Sequence, residues 1–109
     1  MESPSQLGIV MVTTASEAEA HTIAKGLIDA RLAACVTLTP IQSIYNWQGD
    51  IHNDSEYQLT IKTDLILFEQ IATQITQQHS YELPEIIAVP MINNTEEYGQ
   101  WIKQQVKTA

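Results

Sequence analysis

The fold is decided by the middle of the chain, where residues 35–63 read CVTLTPIQSIYNWQGDIHNDSEYQLTIKT. The first part, residues 35–47, is rich in β-branched and aromatic side chains, which favour strands. Residues 57–63 alternate apolar and polar side chains, as a strand with one buried face does. Between them, residues 48–50 and 52–54 have the composition of turns. We therefore predict a long β-hairpin.

A helix is predicted on either side of this hairpin. Before it, Ser16 followed by Glu19 has the spacing of a capping box, and apolar residues continue at helical spacing to about Leu32. After it, a second helix opens with an N-cap at residue 63 or 64 and ends near residue 79. The hairpin is thus flanked by two amphipathic helices.

Two short apolar runs, residues 9–12 and 86–89, predict strands that are buried on both faces. A last helix is predicted after Asn94, which we interpret as its N-cap. The order β-α-β-β-α-β plus a terminal helix indicates an α+β fold, the ferredoxin-like split βαβ with an antiparallel sheet. Residues 1–109 are predicted to form one domain, with residues 1–6 as an unpacked arm.

Composition excludes several classes of protein. With 44% hydrophobic residues among 109, the chain is not expected to be disordered. Its net charge of −8 disfavours nucleic acid and anionic membrane surfaces, because both attract cationic side chains. Cys35 is the only cysteine, so no intrachain disulfide is possible. Neither a signal peptide nor a membrane span is predicted, and we expect a cytoplasmic protein.

The predicted sheet is not covered by the chain's own helices. Strands that are apolar at every position need burial on both faces, and the short terminal helix is expected to cover only part of the second face. A hairpin longer than a small sheet also leaves unpaired edge groups. Both features favour a homo-oligomer whose interface is supplied by the sheet and by residues 44–59 of the hairpin.

Three stretches contain side chains of the kinds that bind metal ions, bind ligands or act as nucleophiles. A thiolate at Cys35 suits a soft metal or nucleophilic attack, although a lone cysteine also behaves as a small buried hydrophobe. Residues 45–49 (YNWQG) suit either a binding surface or packing between subunits. Residues 79–85 (HSYELPE) bring an imidazole, a phenol and carboxylates together in a loop, which suits a divalent cation or simply a solvated connection.

Five motifs in this order resemble the CutA family of divalent-cation tolerance proteins. The motifs, which span residues 8 to 106, are Ala33-Ala34-Cys35-Val36, Tyr45-x-Trp47-x-Gly49-x-Ile51, Glu56-x-x-Leu59-x-x-Lys62-Thr63, His79-x-Tyr81-x-x-Pro84-Glu85-Ile86-Ile87 and Tyr98-x-x-Trp101-Ile102. The resemblance implies a ferredoxin-like chain assembled as a homotrimer, with an architecture similar to that of the PII signalling proteins. It also implies a link to copper tolerance.

The resemblance also bears on a metal site. Some relatives have a cysteine at the end of the first strand and two successive histidines before the tyrosine. This chain has Thr13 and Gln78 at the first two of these positions, and His79 remains. His79, with Glu82 or Glu85 beside it, is therefore the predicted metal ligand. So few ligands predict weak and pH-dependent binding, tightest for Cu²⁺ among common divalent ions.

Two functions follow as hypotheses. The first is a non-enzymatic, thermostable homotrimer that binds a divalent cation weakly and acts in metal tolerance, with no obligatory cofactor. The alternative is a regulatory module with a small-ligand pocket at subunit junctions, where five side chains are expected to converge: Cys35, Trp47, Lys62, Tyr81 and Glu85. An enzyme built on Cys35 or on His79 and Glu85 would lack an orienting third group.

Overall fold

A four-stranded antiparallel sheet with strand order β2-β3-β1-β4 carries two helices on one face and a third helix on the other. This is the predicted α+β ferredoxin-like fold. The computed structural model describes residues 5–109. The elements are β1 (Leu7–Thr14), α1 (Glu17–Asp29), β2 (Cys35–Trp47), β3 (Asp50–Asp64), a 3₁₀ turn (Leu65–Leu67), α2 (Phe68–Gln78), β4 (Ile86–Pro90) and α3 (Glu96–Gln105).

The core lies between the sheet and helices α1 and α2. Strand β1 is central and pairs with β3 on one side and β4 on the other. Its Val10 and Val12 are fully buried, as are Leu59 and Ile61 on β3. The fully buried helix residues of this core are Ala20, Ile23 and Leu27 of α1 and Ile71 and Ile75 of α2. Each large side chain buried here is worth roughly 1.5–3 kcal/mol of transfer free energy.

The turn that joins the two strands of the hairpin consists of two residues only. Gln48 and Gly49 have φ values of 53° and 85°, and two consecutive left-handed residues form the tight turn that suits twisted strands. Strand β3 therefore begins at Asp50, and Trp47 pairs with Asp50 in the register. The second predicted turn, residues 52–54, is wrong. Those residues belong to β3, which makes the hairpin longer than its sequence suggests.

Helix α1 ends at Asp29, three residues before the predicted end. Arg31 adopts φ 58°, and the amide of Leu32 donates to the carbonyl of Leu27 at 2.9 Å, which closes the helix in a Schellman-like turn. Of the two caps predicted for the second helix, Asp64 caps the 3₁₀ turn that precedes it, because its side chain accepts a hydrogen bond from the Ile66 amide at 3.1 Å. Helix α2 itself begins at Phe68, with Leu67 as an N-cap that makes no side-chain hydrogen bond.

Helix α3 lies against the face of the sheet opposite α1 and α2. Its Tyr98 ring lies 5.9 Å from Nζ of Lys62, a residue whose side chain alternates with the core residues of β3. Thr95, not the predicted Asn94, is the N-cap, because its hydroxyl accepts from the Tyr98 amide at 3.4 Å. Ile102 is fully buried, but Trp101 remains 39% exposed.

Strand β4 differs from its prediction. The apolar run predicts burial on both faces, yet Ile87 and Val89 are 49% and 44% exposed. The reason is its place in the sheet, since it is an edge strand that the chain's own helices leave largely uncovered.

Residues 1–4 of the predicted arm lie outside the described residues. Ser5 and Gln6 are not unpacked, because both donate hydrogen bonds to the Asp64 carboxylate.

Asp64 joins the start of the described chain to the start of the 3₁₀ turn. Burial acts to raise the pKa of its carboxyl, but hydrogen bonds from the Ser5 hydroxyl and from the amides of Ile66 and Gln6 lower the pKa overall. When folding lowers the pKa of a carboxyl, that carboxyl stabilises the native state at every pH above the pKa that it has in the unfolded chain. That contribution disappears as the pH falls through the lowered native value.

We expect Asp64→Asn to lower the free energy of unfolding by about 1–2 kcal/mol near neutral pH, since the amide nitrogen cannot accept from Ser5. The difference from wild type should shrink as the pH falls below the ordinary pKa of an aspartate and through the lowered native value, because the carboxyl is then protonated. Urea denaturation at a fixed protein concentration measures both values. Asp29→Asn is the matched control, because Asp29 forms only an exposed ion pair with Lys25 and should cost under about 0.5 kcal/mol. Equal losses for the two variants would contradict the expectation.

Candidate functional site

A cleft of about 580 Å³ opens where the hairpin leaves the four-stranded part of the sheet. Its walls come from the hairpin, from Thr13 at the end of β1, and from the loop between α2 and β4. Three carboxylates line it: Glu56, Glu82 and Glu85. The aromatic and aliphatic lining consists of Ile44, Tyr45, Trp47, Tyr81 and Leu83.

The cleft is closed at its base by a hydrogen bond between two side chains. The Tyr81 hydroxyl donates to Oε2 of Glu56 at 2.6 Å. Burial, followed by this bond to a carboxylate, raises the pKa of Tyr81 above its ordinary value. Tyr81 therefore stays protonated at neutral pH and serves as a permanent donor to Glu56.

His79 anchors the loop that carries Tyr81. Its side chain has no exposed surface, and its Nε2 lies 2.7 Å from the carbonyl oxygen of Thr13. Its Nδ1 accepts from the Tyr81 amide at 3.0 Å. A carbonyl can only accept and an amide can only donate, so these bonds fix a neutral ring with its proton on Nε2. The predicted ligand thus has both nitrogens engaged, and a metal ion would have to displace one of these bonds.

A second anchor lies one residue further along the loop. The Glu19 carboxylate accepts from the Ser80 amide at 2.7 Å and from the Ser80 hydroxyl at 3.0 Å. Burial acts to raise the pKa of Glu19, but these bonds lower it overall. Residues 79, 80 and 81 therefore bond in turn to β1, α1 and β3, which fixes the loop over the cleft.

The five side chains expected to converge divide into two groups. Trp47, Tyr81 and Glu85 line the cleft. Cys35, which is half-buried and not in a disulfide, pairs in register with Lys62 at the opposite end of the hairpin. Trp47 lies twelve positions after Cys35 along β2, roughly 40 Å away at the rise of a β-strand. Within one chain, Cys35 and Lys62 do not contribute to this cleft.

The five basic residues of the chain lie away from the cleft. Lys62 pairs with Ile9 near the start of β1, and the Arg31 guanidinium donates to the carbonyls of Gln104 and Gln105 at the end of α3. The others lie on α1, on α3 and just beyond it: Lys25, Lys103 and Lys107. In the described part of the chain, the cleft is therefore lined by carboxylates without a basic partner.

Glu56 is the site residue whose role the sequence did not indicate. It lies one position before the alternating run of residues 57–63, so the pattern gave it no orientation. It is nevertheless 5% exposed and is the carboxylate to which the loop is attached. The signal available in the sequence was its place in a motif, which carries no information about its contacts.

No preformed metal centre is present among residues 5–109: no three His, Cys, Asp or Glu side chains are grouped closely enough to hold an ion. The carboxylates of the cleft suit hard or borderline cations but are spread over the hairpin and the loop. His79 does not complete such a set in its present hydrogen bonding. Within the same range, no helix has the length and apolar character needed to cross a membrane.

Comparison with known proteins gives consistent results. A family model described as CutA1 divalent ion tolerance protein matches residues 8–105. The divalent-cation tolerance protein CutA of Thermus thermophilus is 40% identical over 97 residues, covering 88% of this chain and 94% of the relative. The chloroplastic CutA protein of Arabidopsis thaliana is 34% identical, covering 91% of this chain but 55% of the relative, so this chain spans about half of that protein.

Solved structures give the same result for the fold. The structure described as the periplasmic divalent cation tolerance protein CutA from Archaeoglobus fulgidus superposes with a TM-score of 0.91 at 34% identity, covering 93% of this chain and 99% of that one. The structure of the Thermus thermophilus protein gives a TM-score of 0.89 at 38% identity, with 93% and 99% covered. Sequence and structure together show that the chain belongs to the CutA family of divalent-ion tolerance proteins.

Proposed function

We propose that this protein acts in divalent-cation tolerance, without enzymatic activity, by binding divalent cations weakly in the acidic cleft. The observation that carries the proposal is the lining of the cleft, where Glu56, Glu82 and Glu85 are present and no basic residue of the described chain is. Carboxylate oxygens are suitable ligands for divalent ions. Membership of the CutA family supports a role in tolerance.

Weak binding is expected from the same geometry. A site that binds tightly presents its ligands already grouped, and residues 5–109 contain no such group of three. The cation would keep part of its water shell and contact one or two carboxylates. Among common divalent ions, Cu²⁺ should bind most tightly, because the Irving–Williams order holds for oxygen ligands as well as for nitrogen ligands.

We also propose that the protein is a homotrimer, as the resemblance to the CutA family implies. The support is the amount of apolar surface that one chain leaves exposed on the hairpin and on the edge strand β4. Ile44 and Ile51 near the hairpin tip are 72% and 79% exposed, and Ile87 and Val89 on β4 are also open. Exposed apolar side chains grouped in this way on the hairpin and on β4 are typical of interfaces. Assembly would make folding depend on concentration and raise thermal stability.

A small-ligand regulatory module is the second candidate function. The cleft has the volume of a small-molecule site and a mixed lining of aromatic, aliphatic and carboxylate groups. In such a module, Cys35 and Lys62 could reach the cleft only from a neighbouring copy, since within the chain they lie at the other end of the hairpin.

We propose a cytoplasmic location on the basis of the single unpaired Cys35, which suits a reducing compartment. The names of the relatives differ in this respect, since the Arabidopsis protein is called chloroplastic and the Archaeoglobus protein periplasmic.

Assembly can be tested with one substitution on β4 and one on α1. We expect the wild type to have a trimeric mass by light scattering at micromolar concentration. Ile87→Asp should lower that mass and the melting temperature, because it places a carboxylate in the proposed interface. Ile28→Asp is the control, since Ile28 is similarly exposed, at 41%, but lies on α1. A monomeric wild type would contradict the proposal.

Metal binding can be tested by calorimetric titration of the wild type with Cu²⁺, Zn²⁺ and Ni²⁺. We expect weak binding in the order Cu²⁺ > Zn²⁺ and Ni²⁺. The double variant Glu82→Gln/Glu85→Gln should lose several-fold in Cu²⁺ affinity, because both changes remove a charged ligand from the cleft. Glu96→Gln is the matched control at an exposed position on α3.

The same titration separates the carboxylates from His79. In His79→Gln the new amide can still donate to the Thr13 carbonyl, so the loop keeps this anchor while the imidazole is removed. We expect its Cu²⁺ affinity to be unchanged. Loss of most Cu²⁺ binding in this variant would identify His79 as the ligand. No binding by the wild type at millimolar Cu²⁺ would overturn the metal proposal.

A further inference from the structure

The sheet face opposite α1 and α2 carries an acid and a base from the same strand. Side chains alternate between the two faces of a strand, and Leu59 of β3 is buried in the helical core. Glu56 and Lys62, each three positions from Leu59, therefore lie on the opposite face. Val89 of β4 shares this face, because it pairs with Ile9, which in turn pairs with Lys62.

Neither of these charges is compensated within the described chain. Glu56 is 5% exposed, and its hydrogen bond in residues 5–109 comes from the Tyr81 hydroxyl, which carries no charge. Lys62 belongs to none of the ion pairs of the same residues and lies over the ring of Tyr98. A carboxylate largely removed from water without a cation is energetically unfavourable.

Glu56 and Lys62 cannot neutralise each other within one chain. They are six positions apart on β3, about 20 Å at the rise of a β-strand. An ion pair requires a nitrogen and an oxygen within about 4 Å of each other. Lys62 is also the only lysine or arginine on the four strands. A second copy seated on this sheet face therefore has one strand residue that can bring a positive charge to Glu56.

We propose that Glu56 of each copy forms an ion pair with Lys62 of the neighbouring copy. This inference rests on the homotrimer proposed above and names a contact that holds it together. Ile87 and Val89, which are about half-exposed in one chain, lie on the same face and extend the interface. In a closed ring of three, each copy contributes Glu56 to one neighbour and Lys62 to the other, so three equivalent pairs form.

Two tyrosines hold the members of this pair in position. Tyr81 donates to Oε2 of Glu56, which leaves the other carboxylate oxygen for the ammonium group. Tyr98 of α3 has its ring 5.9 Å from Nζ of Lys62, a contact that keeps the lysine side chain on the sheet face. Side chains that are already held lose less conformational entropy when the copies assemble.

The pair also assigns different carboxylates of the cleft to assembly and to cation binding. Lys62 of the neighbouring copy neutralises Glu56 at the base of the cleft. Glu82 and Glu85, which line the same cleft from the loop, remain available to a divalent cation.

A double-mutant cycle tests the pair. Glu56→Gln keeps an acceptor for Tyr81 but removes the charge, and Lys62→Met keeps most of the side-chain length without the ammonium group. The mass is followed by light scattering in increasing urea, which separates even a trimer too tight to dissociate on dilution. Each single variant should lower the urea midpoint of dissociation by about 1 M or more, because each leaves one charge of the interface unpaired. The double variant should be no less stable than either single one.

This lack of additivity locates the pair between copies. Residues about 20 Å apart in one chain have additive effects, so coupling between Glu56 and Lys62 can arise only across the interface. The exchange Glu56→Lys/Lys62→Glu should also restore the trimer that each single reversal disrupts. Lys25→Met and Glu69→Gln are the controls, on α1 and α2 at the other face of the sheet, and should leave the midpoint unchanged.

The outcomes separate this inference from the homotrimer itself. A trimeric wild type whose single variants lose stability additively, or not at all, overturns the ion pair and leaves the homotrimer standing. A monomeric wild type overturns both. The cycle of neutral variants decides even where a charge reversal prevents folding, as judged by far-UV circular dichroism without urea.

Discussion

The difference in length between the hairpin and the rest of the sheet is the constraint on which this structure depends. Strand β3 pairs with β1 only from Tyr57 to Asp64, whereas it pairs with β2 from Asp50 to Lys62. Residues 50–56 therefore form a two-stranded ribbon with no third strand beside it. An isolated two-stranded ribbon is marginally stable in water. It requires support, and the cleft lies at the position where that support begins.

The loop of residues 79–85 supplies the support that lies within the chain. Its first three residues bond to three different elements, through the Thr13 carbonyl, the Glu19 carboxylate and the Glu56 carboxylate. Each bond alone is worth about 1 kcal/mol, or somewhat more where a carboxylate takes part. Together they hold the loop in one position relative to the ribbon. The side chains of the cleft are consequently held in place before any ligand arrives, which reduces the entropy lost on binding.

The sequence was sufficient for the order of the elements, because apolar periodicity and turn composition are local properties. It was insufficient at Arg31, where α1 ends, since left-handed backbone at a non-glycine residue depends on neighbouring packing. It was also insufficient at residues 52–54, whose turn-like composition does not reveal that they belong to β3. The pairing of Tyr81 with Glu56 joins residues 25 positions apart. It depends on the path of a loop, which no local pattern describes. The predicted convergence of Cys35 with Trp47 concerns a junction between subunits, since within one chain they lie at opposite ends of β2.

The positions of the basic residues affect how fast a charged ligand reaches the cleft. Lys62 and Arg31 lie toward the end of the molecule where β1 begins, whereas carboxylates are the only charged groups that line the cleft at the other end. A net charge of −8 distributed in this way makes the protein an electric dipole with its negative pole at the ribbon. Diffusing cations would be turned toward the cleft before contact, and anions would be turned away. The association rate constant of a cationic ligand should consequently fall as ionic strength rises, even where its dissociation rate constant does not change.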